Sequence, residues 1–238
     1  MPVSARQDWR SGVFALLDTA FDRNDAVLAD VAAMLADAIS GGKTVYAFGA
    51  GHSLSLVNEM HRRAGSLKAM HPIWNAELTA RAPGIDEDEL GTLENKAGYY
   101  REFTEGLTWG PGDVCWVVSN SGRNALVVQF AQEAKRNGVT VIALTSVPHS
   151  TAVPTTPGLP RLLDVADYVL DNCGRPGDAL LEVEGVAEPM APTSTIVGAT
   201  LIHAAWVGAA ELLTAAGKSP EVWASANTRA NRGPAAAS

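Results

Sequence analysis

Cysteine is nearly absent from this chain of 238 residues: only Cys115 and Cys173 occur, far apart and in no C-x-x-C spacing. Neither a disulfide framework nor a cysteine zinc site is therefore expected. Two free thiols fit a reducing compartment. Basic clusters are also scarce, limited to Arg62–Arg63 and the arginines of the 229–232 tail, and the formal net charge is -8. Nucleic-acid-binding surfaces normally carry a basic face. Neither nucleic acid nor an anionic membrane is thus an expected partner. An anionic small ligand stays open, because one local pocket can oppose the overall field. Residues 1–9 are polar and lack the apolar core of a signal peptide. No apolar run is read as approaching the roughly 20 residues of a membrane span. The richest, 196–210, is interrupted by Thr200 and His203. The expected location is the cytoplasm.

Two nucleotide signatures are missing. No lysine follows Gly51 as G-x-x-x-x-G-K-[ST] requires, and Leu54 stands where G-x-G-x-x-G needs its third glycine. A P-loop and a nicotinamide dehydrogenase are both disfavoured. No cofactor and no metal are expected.

What the chain does have is a hydrophobic fraction of 47%, with 18% charged residues, enough for one sizeable core. Apolar residues at helical spacing over 13–21 and 27–39 predict one long helix or two in succession, ended by Gly41-Gly42. A short strand is expected at 44–48, followed by a glycine turn (49–53) and a helix over 54–64. A second strand is expected at 67–70. The acidic run 86–89 reads as a solvated loop, and 94–106 as a helix. The run V-C-W-V-V (114–118) is continuous rather than alternating, as in a strand buried on both faces. It ends in S-N-S-G-R-N (119–124), ahead of a helix over 125–137. Further strands are expected at 139–144, 168–171 and 180–183, with a loop at 147–160 and an apolar helix from 193 to about 216. Strands alternating with helices predict an α/β protein, a doubly wound three-layer sandwich on a mostly parallel sheet. Residues 41–217 form its single domain, 1–40 a helical segment before it, and 218–238 a tail.

Ligands of open parallel sheets bind beyond the carboxyl ends of the strands. Two expected strands end in turns rich in Ser, Gly and Asn, each feeding a helix. Helix N-termini expose unpaired N–H groups and a partial positive charge, which together hold anions. Ser53, Ser119 and Ser121 are therefore candidate phosphate ligands, with Gly51 and His52 in the first turn and Asn120 and Asn124 as further donors in the second. The competing reading is that these serines merely cap their helices. His52 could donate to a sugar hydroxyl or a phosphate, or simply tolerate an unusual backbone angle.

The segments V-Y-A-F-G-A-G-H-S (45–53), V-V-S-N-S-G-R-N (117–124), V-I-A-L-T-S (141–146) and P-T-S-T-I-V-G-A-T-L-I-H (192–203) resemble the sugar isomerase (SIS) family over residues 10–215. The resemblance implies a flavodoxin-like sheet of five strands and phosphate held by the two serine turns, with Thr145 and Ser146 lining the next strand end. It also implies homodimers or homotetramers with active sites near subunit contacts. Members of the family include aldose–ketose isomerases, an etherase and sugar-phosphate sensors, so the fold alone leaves the reaction open.

Isomerisation through an enediol needs a base at carbon and a donor at oxygen. Glu59 lies six residues after Ser53, less than two helical turns away, and is the candidate base. Its alternative is a surface ion pair with Arg62 or Arg63. His203 matches a catalytic histidine in the last helix of phosphoheptose isomerases, and the resemblance assigns it acid or base work. Those enzymes carry a glutamate where Arg63 stands here, a departure that puts the heptose reaction in doubt. His61 is retained as a residue that could serve a neighbouring subunit. Residues 171–174, at the end of a strand, read as lying near the ligand or as an Asx turn. The expected function is an aldose–ketose isomerase of a sugar phosphate. A non-catalytic sugar-phosphate sensor and a phosphosugar lyase or etherase are the alternatives.

Overall fold

The computed structural model describes residues 4–74 and 92–229. Helix α1 (Ala5–Ser40) runs unbroken for 36 residues, so the two apolar stretches belong to one helix. Strand β1 (Val45–Gly49) leads into a 3-10 turn, Gly51–Ser53, and then α2 (Leu54–Met60). The helix stops short of residue 64 because His61 is extended and Arg62 is left-handed, with φ of 52°. Strand β2 (Met70–Ile73) starts where a strand at 67–70 was expected to end. Leu67 instead forms an antiparallel bridge with Val222. The acidic run 86–89 lies outside the described residues. The helix expected over 94–106 is broken: residues 92–95 are helical, Gly98 turns with φ of 81°, and α3 (Arg101–Thr104) follows.

Strand β3 (Val114–Val118), α4 (Ala125–Arg136) and β4 (Thr140–Thr145) fall within a residue of expectation. The expected loop at 147–160 opens instead with α5 (Val147–Ala152). Here the Ser146 hydroxyl accepts the His149 N–H at 3.0 Å and a proline sits in the first turn, both N-terminal signals that lay unread in the sequence. Next come α6 (Leu162–Val165) and β5 (Tyr168–Asp171). The central sheet has the order β2-β1-β3-β4-β5, and all its pairings are parallel. The segment read as a strand at 180–183 is not part of it: β6 (Ala179–Leu181) pairs antiparallel with β7 (Met190–Pro192) in a separate hairpin. Helices α7 (Ser194–Ala215) and α8 (Ala226–Arg229) complete the described chain.

Continuous apolar strands are explained by two buried layers. Val45, Ala47, Val114, Trp116, Val118, Ile142 and Leu144 face α1, α2 and α7. The intervening Phe48, Cys115, Val117, Val141 and Ala143 face α4, where Phe48 stacks on Phe130 at 3.9 Å. Strand side chains alternate between faces, so burial on both sides removes any polar alternation.

Helix α7 corrects the reading that no apolar segment approaches spanning length. Its 22 residues are long and apolar enough to cross a membrane by length and composition alone. In this fold Val197, Leu201, Ile202, Ala205 and Leu213 are packed in the core. A Cβ on Gly208 would lie 2.9 Å from that of Ala32, which shows how closely α7 meets α1. The 218–238 tail is held at its start, where Gly65 and Lys68 donate to the carbonyls of Trp223 and Glu221.

Asn24, buried at 1% exposure in α1, ties the helix to β5. Its Oδ1 accepts the Asp171 N–H at 2.9 Å and its Nδ2 donates to the Asp171 carbonyl at 2.8 Å. Asn24→Ala would leave the Asp171 N–H buried without a partner and its carbonyl with only the weak Cys173 thiol contact at 3.6 Å. A loss of about 3 kcal/mol in unfolding free energy is expected in urea denaturation.

Candidate functional site

The two serine turns leave adjacent parallel strands, β1 and β3, and feed helices on opposite faces of the sheet. Strand order reverses there, and the diverging connections leave a crevice at the carboxyl ends. In the first turn, a side chain on Gly49 would place its Cβ 3.0 Å from the Ser53 carbonyl oxygen. Gly51 has φ of 55°, a conformation that glycine adopts without strain. Ser53 is already helical, and its hydroxyl does not cap α2. The capping alternative is therefore not realised at Ser53, and the left-handed residue beside His52 is Gly51.

The second turn is braced from inside. The Ser119 hydroxyl accepts the Gly122 N–H at 3.1 Å. The Asn120 carbonyl accepts the Ser146 N–H and the Thr145 hydroxyl, both at 3.1 Å. The Asn120 side-chain oxygen accepts an N–H of Asn172 at 2.9 Å. Asn124 begins α4, but its side chain does not cap the helix and donates to Glu94.

Gly51, His52, Ser53, Ser119, Asn120, Ser121 and Asn124 line one cavity of about 430 Å³. A roomier hollow of about 620 Å³ lies at the opposite, amino ends of the strands and shows no such convergence of donors. Thr145 and Ser146, expected in the lining, are fully buried instead. Their hydroxyls donate to the carbonyls of Asn120 and Gly174, so they brace the turns. Residues 171–174 form the Asx arrangement: Asp171 Oδ1 accepts the Cys173 N–H, Asn172 Oδ1 accepts the Gly174 N–H, and Asn172 reaches the cavity wall.

Among the described residues the cavity lining contains no lysine or arginine. It does contain three titratable side chains to which the sequence reading gave no role: Glu94, His149 and Asp178. Burial holds the Glu94 carboxyl above its ordinary range, opposed by the hydrogen bond from Asn124. Burial lowers the His149 imidazole, against a smaller upward pull from Asp178. His149 Nδ1 accepts the Gly177 N–H at 3.1 Å. Asp178 reaches from the hairpin to the start of α7, where it accepts the N–H groups and hydroxyls of Thr193 and Ser194 at 2.6–3.2 Å. These three lay within segments read as helix, loop and connection, and only tertiary packing brings them to the serines.

Glu59 and His203 meet each other but do not line this cavity. His203 Nε2 lies 3.0 Å from Glu59 Oε1, and Arg63 Nε lies 2.8 Å from that same oxygen. The ion pair with Arg63, the alternative reading of Glu59, is formed, and the same oxygen also meets His203, a pairing the sequence did not indicate. His61 stacks edge-on against Trp74, also away from the lining. Cys173 has its thiol pushed up to about 11 by burial first and the Asp171 carboxylate second. Among the described residues no cluster of His, Cys, Asp or Glu suits a metal ion.

A family model for the SIS domain matches residues 8–146. The UPF0309 protein of Shouchella clausii is 36% identical over 222 residues, covering 93% of this chain and 89% of that protein. Among solved structures, a phosphoheptose isomerase from Francisella tularensis aligns with a TM-score of 0.55 at 14% identity, over 87% of this chain and 100% of that one. The Vibrio vulnificus NanR protein complexed with ManNAc-6P aligns at 0.52 and 14% identity, over 89% of this chain and 64% of that one. At such identities these two structures share the fold with this chain.

Asp178→Ala removes the acceptor for the first turn of α7, and a loss of about 1–2 kcal/mol is expected in chemical denaturation. Cys173 is expected to be inert in the folded protein: with a thiol at about 11, roughly one molecule in a thousand is ionised at pH 8. Thiol titration with a chromogenic disulfide should therefore detect it rapidly only after unfolding.

Proposed function

The chain belongs to the SIS domain family, and from that premise we propose that it binds a phosphorylated sugar in the crevice between β1 and β3 and interconverts its aldose and ketose forms. One observation carries the binding half of this reading: both serine turns line a single cavity, whose wall holds no lysine or arginine among the described residues. Backbone N–H groups at the start of two helices, with the hydroxyls of Ser53 and Ser121, then supply the donors for the phosphate. Neutral donors hold an oxyanion without fixing a buried positive charge in the empty protein. A cavity of about 430 Å³ falls in the usual range for small-molecule sites.

The reaction half rests on acid–base groups around the crevice. Glu59 and His203 form a carboxylate–imidazole pair outside the cavity lining, and Glu94 and His149 form part of its wall. Proton transfer through an enediol can be carried by side-chain acids and bases alone, and a phosphoheptose isomerase is among the solved structures that share the fold. Assembly into a homodimer or homotetramer belongs to the same reading. Phe14 on α1 and Val207 on α7 are 58% and 59% exposed, and a subunit contact would cover them.

The test is a thermal-shift panel of sugar phosphates with four to seven carbons, followed by NMR of the hits in deuterated water. A hit should raise the melting temperature, by mass action, and incorporate solvent deuterium as aldose and ketose interconvert. Ser121→Ala should weaken binding about tenfold or more through loss of a charge-assisted hydrogen bond. Binding without exchange would make the protein a sugar-phosphate sensor. Elimination products would make it a lyase.

A further inference from the structure

Glu94 occupies a position that no other carboxylate in the described chain shares. Its Oε2 accepts the Asn124 amide from the second turn, and its Oε1 lies where a Cβ on Gly51 would be only 2.6 Å away. One carboxyl thus touches both of the turns read as the oxyanion cradle. The absence of a side chain on Gly51 makes room for it as well as permitting the turn.

Glu59 differs on each count. Its Oε1 is shared by His203 and Arg63, and it stands outside the wall. Its carboxylate is already engaged by a guanidinium and an imidazole. Glu94 has no ion-pairing partner among the described residues, and its burial raises its proton affinity. A phosphate bound beside it would raise its proton affinity further, since like charges disfavour ionisation. The other titratable groups of the wall are His52, His149 and Asp178, and the last is committed to the start of α7. With Nδ1 accepting from Gly177, a neutral His149 carries its proton on Nε2.

Building on the isomerase reading, we propose that Glu94 moves the carbon-bound proton of the substrate and His149 the oxygen-bound one. Starting from an aldose, the Glu94 carboxylate takes the proton from C2 and the C–H electron pair becomes the C1=C2 bond. The carbonyl π pair moves to O1, which takes the proton from His149 Nε2. In the second half the O2 hydroxyl returns a proton to Nε2 and the O2 pair forms the new carbonyl at C2. The C1=C2 π pair then collects the proton from Glu94 at C1. Both side chains end as they began, and the substrate has gained and lost no atoms.

The experiment compares wild type with Glu94→Gln, Glu94→Asp and Glu59→Gln. It uses the sugar phosphate with the largest thermal shift and reads kcat, KM and deuterium incorporation. Glu94→Gln is expected to lower kcat and exchange by at least about a hundredfold while the ligand still raises its melting temperature. In wild type, kcat is expected to fall on the acid side through a limb above the ordinary carboxyl range, because the base must be ionised. Exchange in Glu94→Gln within about threefold of wild type would overturn the proposal. So would loss of exchange in Glu59→Gln alone. If Glu94→Gln does not fold, an acid limb at the ordinary carboxyl range together with unchanged turnover in Glu94→Asp overturns it instead. Wild type that binds but never exchanges overturns the isomerase reading and this assignment together. Active wild type with active Glu94→Gln overturns this assignment alone.

Discussion

Between β1 and β3 the chain leaves the sheet in opposite directions, and the fold must leave a gap where the two connections part. Backbone N–H groups that begin α2 and α4 face that gap without intrahelical acceptors. They require either water or an anion. The positive φ of Gly51 and the tight approach at Gly49 exist to turn the chain within this constraint.

A second layer of hydrogen bonds holds the gap in shape. Asn120 accepts from Asn172 and Thr145, Ser146 donates to Gly174, and Asn24 clamps the end of β5. The ends of β3, β4 and β5 are thereby joined through buried polar groups. Such groups are costly when unpaired and strongly ordering when paired. Thr145 and Ser146 serve this layer, which explains why hydroxyls at a strand end beside a binding crevice need not contact its contents.

The dyad of Glu59 and His203 lies where α2 passes α7, and its carboxylate is also held by Arg63. Leu56 lines the cavity, while Glu59 stands almost one helical turn further along α2. Two carboxylates thus stand in different surroundings: Glu94 is buried in the cavity wall, while Glu59 lies outside it in contact with a guanidinium and an imidazole.

Periodicity and punctuation made most of the sheet legible. The run at 114–118, the Ser-Gly-Arg-Asn turn after it and the alternation of strand with helix are local signals, and β1, β3, β4 and β5 lie within a residue or two of where they point. Errors fell where local signals were weak. Arg62 breaks α2 through a left-handed angle that arginine does not advertise, and β6 has the composition of a sheet strand but finds its only partner in β7. The serine turns were visible because a short-range pattern of Gly, Ser and Asn makes them. Glu94, His149 and Asp178 reach the same cavity from segments 25 or more residues away from at least one of those turns, and no spacing rule links them to it. The chain by itself thus determined where the serine-bearing turns would stand at the strand ends, since helix starts and glycine turns are local properties. Which carboxylate meets both turns was decided only by tertiary packing, because burial and contact depend on neighbours distant in sequence.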